Sequence, residues 1–129
     1  MALVSITNEI AGHHIAFMGD SAGSAGAFLG WIQLKKPNGE DAGYIYLSNS
    51  PVEGRLGGRG QPSGPYIVMS RPIVEAMLVL AQLTSGRPMQ MRYHGDDEGS
   101  GAAFIEDRVG VLDAGFAADV SARFNRVIA

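Results

Sequence analysis

The sequence predicts a mainly β chain with one central helix, and two kinds of pattern carry this prediction. Stretches of alternating or β-branched apolar residues indicate five principal strands, and one longer stretch with apolar residues at helical spacing indicates a helix after the third strand. Eighteen glycines among the 129 residues indicate many turns between these elements. A chain of this length forms one domain, so we expect residues 1–129 to share a single core.

The first three strands are predicted in the N-terminal third of the chain. Residues 3–7 and 10–18 indicate a strand that is bent or broken at Gly12, because glycine inside a strand pattern marks a bulge or bend. Residues 28–36 and 43–48 alternate in the next two strands. The turn between them, KPNGED, contains a proline that presets φ and an Asn-Gly pair that accepts positive φ, so these strands form a hairpin.

The central helix follows a glycine- and proline-rich stretch, residues 49–65, that predicts a long surface loop, and a short strand at 66–69. Ser70 or Arg71 is expected to cap the helix, with Pro72 in its first turn and Gly86 at its end. The apolar stripe is wide, which predicts burial on more than one side. Its residues are Ile73, Val74, Met77, Leu78, Leu80 and Ala81.

Two more strands are predicted after the helix, at residues 89–94 and 102–112, and the tail 113–129 is expected to form a short C-terminal helix. The order is therefore three strands, one helix, two strands and a tail. Five strands with one helix inserted between the third and fourth is the connectivity of the OB-fold, so we expect a five-stranded Greek-key barrel.

A family resemblance agrees with this topology. The run from FLGWIQLKK through GYIYLSNS and VEAMLVLAQLTSGRPMQMRYH to GSGAAFIEDRVGV covers residues 28–111 and resembles the OB-fold B subunits of one-A-five-B bacterial toxins, in the subtilase-cytotoxin and pertussis-like branch. Ser85, Gly86 and Arg87 match the stop of that family's helix. The resemblance implies a ring of five identical subunits, glycan-binding sites in shallow surface pockets and a partner protein subunit.

The candidate ligand-binding residues come from the first loop and the two strands that follow it. They are Asp20, Ser21, Ser24, Trp31 and Tyr44. Sugars are bound by aromatic faces together with a few convergent polar groups, and these residues supply both. We therefore predict a non-enzymatic, homo-oligomeric binding module that takes a glycan. The wide apolar stripe of the helix also favours an oligomer, since one small domain offers it little cover.

Residues 19–23, GDSAG, offer a rival hypothesis, because they match the nucleophile-elbow pattern G-x-S-x-G. This stretch also resembles the GDSAGG segment of hormone-sensitive-lipase-type carboxylesterases, which implies Ser21 as nucleophile. Extended further, this hypothesis takes His94 as the base and Asp96 or Asp97 as its orienting acid. Only 18 residues precede Gly19, too few for the strands that position such an elbow. A glycine-serine loop is therefore the preferred interpretation.

Charge makes nucleic acid an unlikely partner, since the net charge is −3 and the isoelectric point is about 5.5. Single-stranded nucleic acid stays as an alternative because Trp31, Tyr44 and Tyr46 lie near Lys35 in the predicted sheet. The chain begins without a basic and apolar signal sequence and has no apolar run long enough to span a membrane. Its compartment is not indicated.

Metal and cofactor binding are not predicted. The chain has no cysteine, so disulfides and thiolate metal sites are excluded. His13 and His14 are adjacent in a strand and point to opposite faces. The acidic residues Asp96, Asp97 and Glu98 lack the ligand spacing of a calcium loop and indicate a solvated turn.

Overall fold

The computed structural model describes residues 3–17, 29–48, 54–97 and 100–108, which form eight strands and one helix. This confirms the prediction of a mainly β chain with one helix. In chain order the elements are β1 (Leu3–Ile10), β2 (Gly12–Phe17), β3 (Gly30–Lys35), β4 (Asp41–Leu47), β5 (Arg55–Gly57), β6 (Tyr66–Arg71), α1 (Ile73–Leu83), β7 (Met89–Asp96) and β8 (Gly101–Asp107).

The strands form two sheets. The smaller sheet has the order β1-β7-β8 and is antiparallel throughout. The larger sheet has the order β2-β3-β4-β6-β5, in which β4 and β6 are parallel and the other neighbours are antiparallel. The hairpin predicted between β3 and β4 is confirmed, and its turn is closed by a hydrogen bond from the Gly39 N–H to the Lys36 carbonyl.

One N-terminal run belongs to both sheets. β1 pairs with β7 in the smaller sheet, and after Ala11 the chain continues as β2, which pairs with β3 in the larger sheet. The Ala11 N–H donates to the Lys35 carbonyl at 2.7 Å, so the crossing point is already held by the larger sheet. The bend predicted at Gly12 is thus confirmed as the place where the run changes sheets.

The core lies between the two sheets and α1. Alternate residues of the larger sheet point inward, and Met91, Tyr93 and Ala103 meet them from the smaller sheet. Burial of this apolar surface is the main force that holds the sheets together. The largest fully buried side chains are Ile32, Leu34, Ile45, Ile67, Met91 and Tyr93.

A buried amide connects the sheets inside this apolar core. Asn8 of β1 is 5% exposed, and its Nδ2 donates to the carbonyls of Ala42 and Pro65, each at 2.9 Å. Ala42 lies on β4, and Pro65 directly precedes β6. Because buried polar groups are costly without partners, these two bonds make Asn8 a directional link from β1 to the larger sheet.

The predicted five-stranded barrel is not what the structure forms. The described residues form eight strands in two sheets and no closed barrel. Three features raise the strand count from five to eight. The first predicted strand divides between the sheets, and the short strand predicted at 66–69 is β6, a full member of the larger sheet. The stretch predicted as a surface loop contains β5, which pairs with β6. Leu56 of β5 packs against the core, a contact that the glycines around it conceal in the sequence.

The helix is shorter and more exposed than the sequence predicts. Ser70 and Arg71 belong to β6, and Pro72 occupies the N-cap position, where no side chain makes a capping hydrogen bond. The predicted stop at Gly86 agrees with its φ of +81°, a conformation that favours glycine.

Burial of α1 on more than one side was predicted, and this prediction is wrong. Ala76 is buried, and Val79 and Leu83 pack partly against the core. The apolar residues on the opposite side of the helix pack against neither of the two described sheets and are exposed. Val74 is 70% exposed, Met77 64% and Leu78 69%.

The last predicted elements lie mostly outside the described residues. The strand predicted at 102–112 corresponds to β8, which ends at Asp107. The C-terminal helix predicted at 113–129 falls entirely outside the described part of the chain.

We expect Asn8→Ala to lower the free energy of unfolding by about 1–3 kcal/mol, because the Ala42 and Pro65 carbonyls lose their donor. Urea denaturation followed by circular dichroism measures the change. Gln82→Ala on the exposed surface of α1 is the control, and it should stay within about 0.5 kcal/mol of the parent. Equal stabilities of the two variants would contradict the role given to Asn8.

Candidate functional site: the outer face of the larger sheet

The outer face of the larger sheet carries aromatic and polar side chains where the inner face carries core residues. On β3, Ile32 and Leu34 point inward and are buried, whereas Trp31, Gln33 and Lys35 point outward and are half-buried. This separation follows from the two-residue period of a strand. The pattern YIY on β4 places Tyr44 and Tyr46 on the same outer face.

Strand register brings these outward residues together. Trp31 lies opposite Tyr46, Gln33 opposite Tyr44, and Lys35 opposite Asp41 across the β3-β4 pair. Directly opposite residues in an antiparallel pair have neighbouring side chains. A register irregularity between Leu34 and Lys35 shifts the last pair, and it brings the Asp41 carboxylate to the Lys35 ammonium.

The aromatic rings form a connected group. The Tyr44 and Tyr46 ring centroids are 6.1 Å apart with an interplanar angle of 12°, and the Tyr44 and Tyr66 centroids are 5.1 Å apart with an angle of 72°. We call Trp31, Tyr44, Tyr46 and Tyr66 the aromatic face. Such rings present large apolar surfaces with a polar tip on each tyrosine.

Tyr66 depends on a close backbone approach from β5. A Cβ atom on Gly57 would lie 2.6 Å from Cε1 and Cζ of the Tyr66 ring, so only glycine leaves room for the ring there. Tyr66 was not predicted as a site residue from the sequence. Its place on an alternating strand next to a glycine-rich stretch was the available signal, but the pairing of β6 beside β4 was not predictable from local pattern.

Asp41 is the centre of the polar part of the site. Its Oδ1 accepts hydrogen bonds from Lys35 Nζ at 2.7 Å and Gln33 Nε2 at 2.9 Å, and its Oδ2 accepts one from the Tyr44 hydroxyl at 3.1 Å. Desolvation by burial opposes the charged form, but the bonds from Lys35, Gln33 and Tyr44 outweigh it and lower the pKa of Asp41. The carboxylate therefore stays ionised at neutral pH.

Tyr44 has the opposite shift. Burial, followed by its hydrogen bond to the Asp41 carboxylate, raises the pKa of Tyr44 to about 12. The phenol therefore keeps its proton across the physiological pH range, and its hydroxyl holds Asp41 in place. Together these groups present a fixed carboxylate, an amide and an ammonium beside the aromatic face.

The loop after β5 makes hydrogen bonds to Asp41 and to the neighbouring Lys36. The Gln61 side chain makes two hydrogen bonds to the Asp41 backbone, accepting from its N–H at 3.0 Å and donating to its carbonyl at 3.1 Å. Lys36 Nζ donates to the Ser63 carbonyl at 3.2 Å and to the Ser63 hydroxyl at 2.8 Å. The polar residues of this stretch are thus engaged with β4 and with the end of the β3-β4 hairpin, which rigidifies Asp41.

Of the five predicted site residues, the structure brings Trp31 and Tyr44 onto this one face, on neighbouring strands. Asp20, Ser21 and Ser24 lie outside the described residues, so their relation to the face stays a prediction.

Two of the partners predicted for a Ser21 nucleophile, His94 and Asp96, belong to β7. His94 belongs to β7 of the smaller sheet, and its Nδ1 lies 2.9 Å from the Ser5 hydroxyl oxygen of β1. The Asp96 carboxylate accepts a hydrogen bond from the Ser100 N–H at 2.9 Å. These two bonds do not make the His94–Asp96 pair that the hydrolase hypothesis requires.

The described part of the chain lacks two other features. No group of three or more His, Asp or Glu side chains there could hold a metal ion. No helix there is long and apolar enough to cross a membrane.

We expect Asp41→Asn to lower the pKa of Tyr44 from about 12, because the hydrogen bond from the phenol to a charged oxygen is lost while its burial remains. The ultraviolet absorbance of tyrosinate during an alkaline titration measures this shift, with Tyr44→Phe identifying the signal. An unchanged Tyr44 titration in Asp41→Asn would contradict the proposed contact.

The same shift predicts a pH dependence of stability. Tyr44 ionises near its ordinary value of 10.0 in the unfolded chain but near 12 in the folded chain. Between these values the folded state holds more protons, so the free energy of unfolding falls as pH rises. Tyr44→Phe should flatten this fall in urea denaturation at two alkaline pH values. A fall as steep as that of the parent chain would show that other groups cause it.

No protein-family model, no curated protein and no solved structure matches the chain. The conclusions about function therefore rest on the geometry and chemistry of the outer face.

Proposed function

We propose that this chain is a non-enzymatic binding module that takes a glycan on the outer face of its larger sheet. The observation that carries the proposal is the aromatic face, in which Trp31, Tyr44, Tyr46 and Tyr66 lie beside the Asp41 polar group. Sugar rings have apolar C–H faces that pack on aromatic rings and hydroxyls that bond to fixed polar groups.

The polar residues of the site support a neutral glycan. Lys35 and Asp41 form an ion pair at 2.7 Å, so their charges offset each other beside the rings. The Asp41 carboxylate can accept hydrogen bonds, and the Gln33 amide can accept and donate them, as sugar hydroxyls require. Since Asp41 is already fixed by Tyr44 and Gln61, a ligand would meet groups that need little ordering.

Single-stranded nucleic acid is the second candidate, since bases also stack on aromatic side chains of a sheet. The net charge of −3 and the pairing of Lys35 with Asp41 weigh against it, because phosphate binding needs uncompensated positive charge. A serine hydrolase centred on Ser21 is the third hypothesis, and the Ser5 contact of His94 gives it no support.

Homo-oligomeric assembly is part of the proposal. The exposed apolar residues of α1, Val74, Met77 and Leu78, support contact with another protein surface. The resemblance to toxin B subunits implies a pentamer of identical chains and leaves room for a partner subunit. α1 packs against the core on the inner side of the larger sheet. The outer face lies on the other side of that sheet, whatever the number of chains in the assembly.

We expect Trp31→Ala to weaken glycan binding by about tenfold or more, because it removes the largest ring of the aromatic face. A glycan array identifies a ligand, and calorimetry with that free glycan measures the affinity. Phe104→Ala is the matched control, since this 45% exposed aromatic lies on the smaller sheet and should leave affinity unchanged.

Three results would contradict the glycan proposal or replace it. Absence of any glycan ligand would remove it. A steeply salt-dependent affinity for oligonucleotides that is lost in Trp31→Ala would favour the nucleic-acid alternative. Ester hydrolysis abolished by Ser21→Ala would favour the hydrolase.

Assembly through α1 predicts a solution mass that is a multiple of 13.6 kDa and that falls when Met77 is replaced by lysine. A buried charge without a partner disrupts an apolar contact. Light scattering after size-exclusion chromatography measures the mass. Gln82→Lys places the same charge on an exposed polar site of α1, and equal effects of the two variants would contradict the role of the apolar stripe.

A further inference from the structure

β2 is an edge strand with exposed apolar side chains. It pairs through one edge with β3, and no other described strand pairs with its second edge. Ile15 is 41% exposed and Phe17 is 62% exposed, and both point to the inner side of the larger sheet, where β2 extends beyond the core. The strand therefore offers backbone hydrogen-bonding groups and an apolar strip together.

This edge lacks the features that usually prevent strand addition. Its sequence, GHHIAF, contains no lysine, proline, aspartate or glutamate, the residues that protect exposed edges. The opposite edge of the same sheet is protected. β5 has three residues, and next to it the Gly54 carbonyl accepts a hydrogen bond from the Gly101 N–H of the smaller sheet. A six-residue unprotected edge is thus specific to β2 in this sheet.

We propose that two copies of this chain join through β2, by antiparallel pairing about a twofold axis that is perpendicular to the sheet and passes midway between the two Ile15 residues. Ile15 then lies opposite Ile15 of the second copy, and His13 lies opposite the second copy's Phe17. His14 lies opposite the second copy's Ala16. Opposite residues in an antiparallel pair share a face, so the inner side gains a joint cluster of isoleucine and phenylalanine.

A second copy fits this edge better than an unrelated strand because the edge is complementary to itself. Ile15 meets Ile15 of the second copy and Phe17 meets its His13, and the strand has no lysine, arginine, aspartate or glutamate that would set like charges opposite each other. Twofold pairing is also the commonest way in which identical chains associate. The two larger sheets would become one continuous sheet of ten strands.

The pairing would give the assembly two glycan sites side by side. This part of the proposal rests on the proposed function. On the outer face Ala16 lies opposite Trp31 and His14 opposite Gln33, so β2 continues the surface of the candidate site. A twofold axis perpendicular to the sheet keeps both aromatic faces on one side. The two Trp31 residues would be three strand spacings apart, about 15 Å, which allows two sites to bind one clustered glycan surface.

Single cysteines test the pairing directly, because the chain has no cysteine of its own. In Ile15→Cys the two thiols lie opposite each other, one on each side of the twofold axis, within reach of a disulfide. Mild oxidation should therefore produce a covalent dimer. In Phe17→Cys the two thiols are four residues apart along the strands, about 13 Å, and should not cross-link with each other. Cross-linking of Phe17→Cys as fast as Ile15→Cys would overturn this register.

Ile15→Lys tests the interface without oxidation. We expect its solution mass to be half that of the unsubstituted chain, whereas Leu3→Lys, at a 77% exposed position of the smaller sheet, should leave the mass unchanged. Circular dichroism confirms that both variants are folded. An unchanged mass in folded Ile15→Lys, or a monomeric unsubstituted chain, would overturn the proposal.

Glycan measurements separate the two proposals. Ile15→Lys should bind free glycan with unchanged affinity but bind an immobilised glycan surface about tenfold or more weakly, because it has lost one of two linked sites. Cross-linking of Ile15→Cys without any glycan binding would remove the proposed function and leave the interface. Glycan binding without cross-linking would remove the interface and leave the function.

Discussion

The passage of one N-terminal run from the smaller sheet to the larger sheet is the constraint on which the rest of the structure depends. β1 and β2 are separated by Ala11 alone, yet β1 pairs with β7 and β2 pairs with β3. A single strand that serves two sheets forces them together at one end. Asn8, three residues before the crossing, adds two directional bonds from β1 to the larger sheet, so both hydrophobic burial and hydrogen bonding fix the same arrangement.

The candidate site follows from this arrangement through strand register. Once Ile32 and Leu34 face the core, the alternation of β3 places Trp31, Gln33 and Lys35 in the outer layer. The tyrosines of β4 come to the same face for the same reason. The irregularity between Leu34 and Lys35 then brings Asp41 within hydrogen-bond distance of three of its neighbours. A one-residue slip of β3 would bury the polar residues and expose the core, so the site and the core are specified together.

Exposed apolar residues concentrate at two places, α1 and β2. These two surfaces differ in the groups that they offer to a partner. The helix offers side chains alone, because its backbone groups are satisfied internally. The β2 edge offers side chains and backbone groups, which makes the geometry of a contact there much more specific. The proposed strand pairing places the aromatic faces side by side, whereas a contact through α1 involves a different surface. The two contacts can therefore exist in one assembly.

The sequence by itself determined the local features of this protein. Alternation located β3, β4 and β7, and glycine marked the bend at Gly12 and the end of the helix at Gly86. Those features depend on neighbours in the chain. Only the tertiary structure decided that β6 lies parallel to β4, that Tyr66 joins the aromatic face, and that Val74, Met77 and Leu78 stay exposed. Contacts between residues distant in sequence decide these points, and the pattern of an isolated segment carries no record of which surfaces it meets.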